Sequence, residues 1–426
     1  MMEENGISET VQISKIIQKE KISHSSDILK ESDDNNTLKE SDDKSTLKES
    51  DDNNTLKESD DDNTLTKTEK EVKIDSFIES MSLEEKIGQL FILAVRHTAN
   101  GKPALTVDKT VRSFMEKYQP GGIILFSLNY QSPSQTRNFI MELQNLSPYP
   151  LFVTTDEEGG KVSRLGKSSL MDVLYLPPAG EIGMTRDILL AEDAAEVLAL
   201  DMKELGFNMN MAPVADISIR GSLNPIGNRS YSSDPETAAA MTAATVRGCK
   251  KAGISPVVKH FPGHGNVTGD SHNGAVASIS SREDFYNRDF IPFKKGIEAG
   301  TDFIMIGHIA APSLTGTNTP ASLSHQIQTV ILREELGFKG LIITDAMDMG
   351  AIKKSYSPRE AVLTAFLAGT DMILMPENIP EAQESLRNAR SSGLLSQERL
   401  DESLRRILKL KLETGLFDKI QDSEED

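Results

Sequence analysis

Short, continuously apolar runs alternate along most of this chain with longer stretches in which apolar residues recur every three or four positions. The runs are IGQLFILAV (87–95), GGIILF (121–126), LFVTTD (151–156), FNMNMAPVAD (207–216), SPVVKHF (255–261), DFIMIGH (302–308), GLIITDAM (340–347) and DMILMP (371–376). A strand with one wet face alternates apolar and polar residues. A run apolar throughout predicts a strand buried on both faces, as in a parallel sheet. Segments of helical period lie between the runs, at 133–147, 187–205, 235–252, 283–299, 325–336, 358–368 and 381–415, the last long enough for two helices. Eight buried strands with intervening helices predict an α/β fold of the (β/α)8, TIM-barrel type. A doubly wound open sheet fits less well. It would use fewer strands and place a Gly-rich nucleotide turn after the first, where this chain reads AVRHTANGK.

The pattern does not hold upstream. Residues 1–73 are polar and carry a nine-residue repeat, LKESDDNNT and its variants, starting at Leu29, Leu38, Leu47 and Leu56. One leucine per nine residues makes neither a helical stripe nor a strand alternation. Each unit buries too little to offset its chain entropy, so a disordered tail is expected. The domain expected to fold is 74–417, followed by a short acidic tail at 418–426. The tail serves either as a flexible spacer or as an unselected repeat expansion.

Charge and composition narrow the chemistry. The net charge is −19, which disfavours nucleic acid as a partner. No run reaches the roughly 18–20 apolar residues of a membrane span. The first residues, MMEENGISETVQISKII, lack the basic and apolar regions of a signal peptide, so the cytoplasm is the default expectation and an exported or surface-tethered protein the alternative. The single cysteine, Cys249, excludes an intramolecular disulfide or a cysteine zinc site. A monomer is expected.

In a barrel of this kind function gathers at the C-terminal strand ends. There the runs end in Asp156, in Lys259 and His260, in His308 and in Asp345, and the loops that follow carry Arg164 and Arg229. An aspartate placed like Asp345 binds a cation, attacks an electrophile or caps a helix; Asp348 could cap instead. Three of the seven histidines fall within KHFPGHGNVTGDSH (259–272). Asp270 and His272 are two apart, so in an extended segment their side chains point the same way. A carboxylate beside an imidazole fixes its tautomer and favours the protonated ring, which suits a proton donor. A metal site at His260, His264, Asp270 and His272 is disfavoured. Two histidines four apart share a face only in a helix, and HFPGH cannot be one. His264 is expected to brace its own loop. No metal and no cofactor is expected.

Five motifs, TTDEEGGKVSRL, NPIGNRSYSSDP, KHFPGHG, GDSH and LIITDAMDMGAI, occur in an order that resembles the β-N-acetylhexosaminidase branch of glycoside hydrolase family 3, from about Ile74 to Phe417. The resemblance implies a barrel that releases terminal β-linked N-acetylglucosamine with retention of configuration, with peptidoglycan fragments as the expected source. It implies Asp345 as nucleophile and His272, on a mobile loop and paired with Asp270, as general acid and base. It implies Asp156, Arg164, Arg229, Lys259 and His260 as sugar-binding residues. Two features depart from the wider family. GDSH is followed by NGAVASIS rather than an early Leu-Pro pair, and the chain has no tryptophan, whereas many β-glucosidases of the family carry an Asp-Trp pair. A β-glycosidase or glycoside phosphorylase of other specificity is the alternative. A non-catalytic sugar-binding protein is a third reading, and the intact Asp345, Asp270 and His272 speak against it.

Overall fold

The structure is a computed structural model and describes residues 67–219, 225–267 and 269–417. Each of the eight apolar runs contains one strand. They are β1 (Phe91–Ala94), β2 (Gly122–Ile124), β3 (Phe152–Thr155), β4 (Met209–Asn210), β5 (Ser255–Phe261), β6 (Phe303–Ile306), β7 (Leu341–Thr344) and β8 (Ile373–Leu374). They pair in parallel in the order β7-β6-β5-β4-β3-β2-β1-β8. Ile343 of β7 bridges to Met372 beside β8, which joins the two ends of the sheet into a barrel. At this seam the Asp371 carboxylate accepts from the Ile342 N–H at 2.9 Å and pairs with Arg333 and Arg406.

Helices follow the strands where the periodicity places them. They start at recognisable signals. Asp234 caps the helix Pro235–Lys251 by accepting from the Thr237 N–H, with proline in its first turn. Ser357 and Glu360 form a capping box on Pro358–Ala368. Two segments differ from expectation. The stretch 283–299 is not one helix: Arg282–Asp284 leads into a π turn, Phe285–Asp289, and then the helix Ile291–Glu298. The wider turn brings Phe285 and Phe290 toward one side, and both are fully buried with Phe293. The segment Gln326–Glu335 is also wound as a π-helix. The helix Lys109–Tyr118 was not expected at all. It buries only Val111 and Met115, one turn apart, too short an apolar stripe to stand out in sequence.

The repeat tail and the acidic C-terminal residues lie outside the described residues. The compact unit begins at Ile74, at the expected tail boundary, and one helix, Lys67–Ser80, starts before it. Its Phe77 ring stacks on Phe417 at 4.8 Å. Among the described residues no helix is long and apolar enough to cross a membrane.

Lys411 is fully buried, donates to Gln89 Oε1 at 2.8 Å and lies over the Phe152 ring at 5.1 Å. Burial without a carboxylate pulls its ammonium down to about 7. The unfolded chain therefore holds the extra proton between about pH 7 and the ordinary lysine range. Stability should rise as pH climbs through that window. Lys411→Met removes the penalty but leaves Gln89 Oε1 without its donor. The expected net gain is about 1–2 kcal/mol at pH 7, with a flatter profile to pH 9. Urea unfolding at both pH values checks this; a variant less stable than the parent at pH 7 would refute it.

Candidate active site

The C-terminal ends of β3, β4, β5, β6 and β7 supply the polar groups that the sequence singled out, with two more that it did not. β3 leads directly into Asp156 and a tight hairpin, Glu157–Gly159 paired with Val162–Ser163. Successive side chains point to opposite sides here. Asp156 and Glu158 therefore share one side and Glu157 takes the other.

Glu157 is buried. Its carboxylate accepts from the Arg164 and Leu165 N–H groups, each at 2.7 Å, and from the Ser163 hydroxyl. Burial pushes this carboxyl up, against those hydrogen bonds. Its role is to fold the loop that presents Arg164, whose guanidinium lies 3.7 Å from Asp156.

Glu158 is the hub of an ion-paired group. Lys259, at the end of β5, places its ammonium 2.6 Å from Glu158 and 3.2 Å from Asp156. Arg229, in the turn Gly227–Arg229, grips Glu158 with two bonds of 2.7 and 2.8 Å. Burial alone would raise the Glu158 carboxyl, but the two cations outweigh it and hold it at about 2. The same anions hold the buried Lys259 ammonium above its ordinary value despite desolvation. Asp156, Arg164, Arg229 and Lys259 thus come together as one ion-paired group.

His260 follows Lys259 across a cis peptide. Its Nδ1 lies 2.6 Å from the Asp216 carboxylate, which also accepts from the His264 N–H at 2.6 Å. Asp216 is fully buried; desolvation would raise its carboxyl, and His260 and His264 together keep it low. An aspartate is the only acceptor there, so Nδ1 carries the proton and Nε2 is left to the site. His264 braces its loop as expected, through Nε2 to the Ser271 hydroxyl at 3.0 Å.

Asp345 follows β7. Its N–H donates to the Ile306 carbonyl at 2.9 Å, and its Oδ1 accepts from the Ala346 N–H at 2.8 Å. Neither Asp345 nor Asp348 caps the short helix Gly350–Lys353, which starts at Met349 with no side-chain cap. Asp348 instead lies 3.9 Å from Arg96. Burial alone would raise the Asp345 carboxyl; His260, His308, the Ala346 N–H and Lys259 outweigh it, so the group is held ionised. His308 is fully buried, with Nε2 at 2.9 Å from the Ala346 carbonyl and Nδ1 at 2.8 Å from the Ser322 hydroxyl. A carbonyl only accepts, so Nε2 bears the hydrogen, and burial lowers the ring's affinity for a second proton.

His272 and Asp270 form a separate pair. His272 Nδ1 lies 2.7 Å from Asp270 Oδ1; burial would raise the Asp270 carboxyl, but its bonds to His272 outweigh that and hold it low. The imidazole makes no bond to the ion-paired group and stands mostly in solvent. Among the described residues no group of three or more His, Cys, Asp or Glu side chains is arranged to hold a metal ion.

Sequence reasoning missed Glu158 and Asp216. Glu158 shares the i, i+2 relation with Asp156 that singled out Asp270 and His272. Asp216 ends the fourth apolar run as Asp156 and Asp345 end theirs.

An ionised aspartate at one strand end of a parallel barrel, flanked by histidines and paired cations, with an Asp–His pair on a neighbouring loop, stands at the face where barrel enzymes carry their sites. The glycosyl hydrolase family 3 N-terminal domain matches residues 82–410, and the chain belongs to that family. Beta-hexosaminidase A of Pseudoalteromonas piscicida is 30% identical over 366 residues, covering 78% of this chain and 61% of that protein. A family 3 β-N-acetylglucosaminidase structure from Paenibacillus superposes with a TM-score of 0.74 at 34% identity, covering 79% of this chain and 64% of that one. The beta-glucoside phosphorylase BglX superposes with a TM-score of 0.74 at 30% identity, covering 83% of this chain and 62% of that one. The chain therefore spans about three-fifths of the length of each of these relatives.

Proposed function

We propose that this protein is a retaining exo-β-N-acetylglucosaminidase acting on peptidoglycan fragments, with Asp345 as nucleophile and His272 as acid and base. The observation that carries this reading is the state of the carboxylates. Asp156, Glu158 and Asp216 are each committed to cations or to His260, and the oxygens of Glu157 are filled by N–H and O–H donors. Asp345 is the ionised carboxylate left for attack. Asp348 faces Arg96 at 3.9 Å, and among the described residues no other carboxylate at this face is left to give up a proton, so the Asp270–His272 pair takes the part that a second carboxyl usually plays.

In the first step His272 Nε2 gives its proton to the glycosidic oxygen, and the bond from that oxygen to the anomeric carbon breaks. An Asp345 oxygen bonds to the same carbon, forming a glycosyl ester. In the second step water attacks the anomeric carbon and passes a proton to His272, and the Asp345 carboxylate leaves. Lys259, Arg164 and Asp156 bind the sugar hydroxyls, and Arg229 holds Glu158 in place beneath them.

The test is hydrolysis of a chromogenic β-N-acetylglucosaminide beside the matching β-glucoside, with the first-formed product anomer read by NMR. The expected result is preference for the acetamido sugar by at least about 100-fold and initial release of the β anomer. Release of the α anomer first would refute retention. A second reading, phosphorolysis, draws support from the likeness to BglX. A histidine base is neutral when it acts, so it does not repel an anionic acceptor. Formation of sugar 1-phosphate in phosphate buffer would favour that reading over hydrolysis.

A further inference from the structure

The loop that carries His272 is seated by its main chain on the turn after Asp345. The Ala351 N–H donates to the Ser271 carbonyl at 3.0 Å, and the Gly350 N–H donates to the His272 carbonyl at 3.2 Å. The Lys354 ammonium donates to the Asn273 carbonyl at 2.7 Å. The three acceptors are consecutive residues centred on His272, and the three donors lie on one short stretch, 350–354, just downstream of Asp345. By contrast, among the described residues the imidazole itself bonds only to Asp270, its neighbour in the same loop, and its side chain is 67% exposed. Ring contacts therefore cannot fix where His272 stands relative to Asp345. The main-chain seat can.

The seat depends on a missing side chain. A Cβ on Gly350 would lie 2.5 Å from the His272 carbonyl oxygen and 3.1 Å from the Asn273 carbonyl carbon. Both are backbone atoms, so no side chain can swing aside to make room. Gly350 is not among the residues with positive φ. Its backbone conformation suits any residue, and close approach is what the position demands.

We infer that Gly350 is a positioning residue for the acid–base step: its bare Cα lets the loop seat on residues 350–354 and so sets His272 within reach of the leaving-group oxygen. This rests on the assignment of His272 and Asp345 made above. A displaced proton donor leaves a specific trace. Aglycones that depart poorly need the proton, whereas aglycones that depart well do not.

The experiment compares Gly350→Ala with the unaltered protein on two substrates, the β-linked disaccharide of N-acetylglucosamine and 2,4-dinitrophenyl β-N-acetylglucosaminide. The expected loss in kcat/KM is about 100-fold on the disaccharide and less than about 5-fold on the dinitrophenyl glycoside. Lys354→Met, an exposed position, should show the same bias at about 3–10-fold, and it carries the test if Gly350→Ala does not fold. Unfolding midpoints are measured for both variants. Equal losses on the two substrates, or no loss on either, in a folded variant overturns the inference. Inactivity of the unaltered protein on both substrates would instead overturn the parent assignment.

Discussion

Asp345→Ala is expected to lower kcat by about 10⁴-fold, equivalent to roughly 5–6 kcal/mol of lost transition-state stabilisation, with KM changed only a few-fold. The size follows from the part the carboxylate plays. Without it the sugar cannot be carried as a covalent ester, and the developing positive charge at the anomeric carbon loses its nearest anion. The fold should survive. Among the described residues the side chain accepts a hydrogen bond from the Ala346 N–H, while the main chain keeps its bond to the Ile306 carbonyl. The unfolding midpoint should therefore stay close to that of the parent. A chemical signature separates this variant from one that has lost its acid. Azide added to Asp345→Ala with an activated aryl glycoside attacks from the face the carboxylate occupied, giving the α-glycosyl azide. His272→Ala keeps the ester, and azide then displaces Asp345 to give the β-glycosyl azide. Activity within about tenfold of the parent, or the β product from Asp345→Ala, would sink the nucleophile assignment.

Much of this was legible because barrel strands are buried on both faces. Each of the eight runs, from the one around Phe91 to the one around Ile373, holds its strand, and the residue that ends a run arrives at the functional face without further information. This is why Asp156, Lys259, His260, His308 and Asp345 could be named. Side-chain pairing across the barrel was not legible, because it depends on which loops close on which. Glu157 and Glu158 are alike in sequence. One is turned into its own loop by Ser163 and the N–H groups of Arg164 and Leu165; the other is turned toward Lys259 and Arg229. The π turn at Phe285–Asp289 was hidden for a similar reason. Its apolar residues satisfy a helical period, and only packing of Phe285 and Phe290 in one core selects the wider winding.

Glu158→Ala is expected to destabilise the protein by about 3–5 kcal/mol, the largest stability effect at this face. Removing the carboxylate strands two cations. The Lys259 side chain is 3% exposed and the Arg229 side chain 14%, and only Asp156 remains to face Lys259. A buried charge without its partner costs far more than the pair contributes as a whole. Acid should reveal the same interaction in the parent. The Glu158 carboxyl is held at about 2, from an ordinary value of 4.5. Its folded-state value is depressed, so its contribution is complete above the ordinary value and is lost as pH falls from there toward 2. The shift corresponds to about 3 kcal/mol, an order-of-magnitude figure for a carboxylate this buried. Glu158→Gln keeps the shape and removes the titration. It should therefore start less stable at pH 7 but lose less between pH 5 and pH 3 than the parent does. Denaturant unfolding of parent and both variants at these pH values decides the matter. If Glu158→Ala falls within about 1 kcal/mol of the parent at pH 7, Lys259 and Arg229 do not depend on this carboxylate. The ion-paired group would then have to be organised by Asp156 alone, which lies 3.2 Å from Lys259 and 3.7 Å from Arg164.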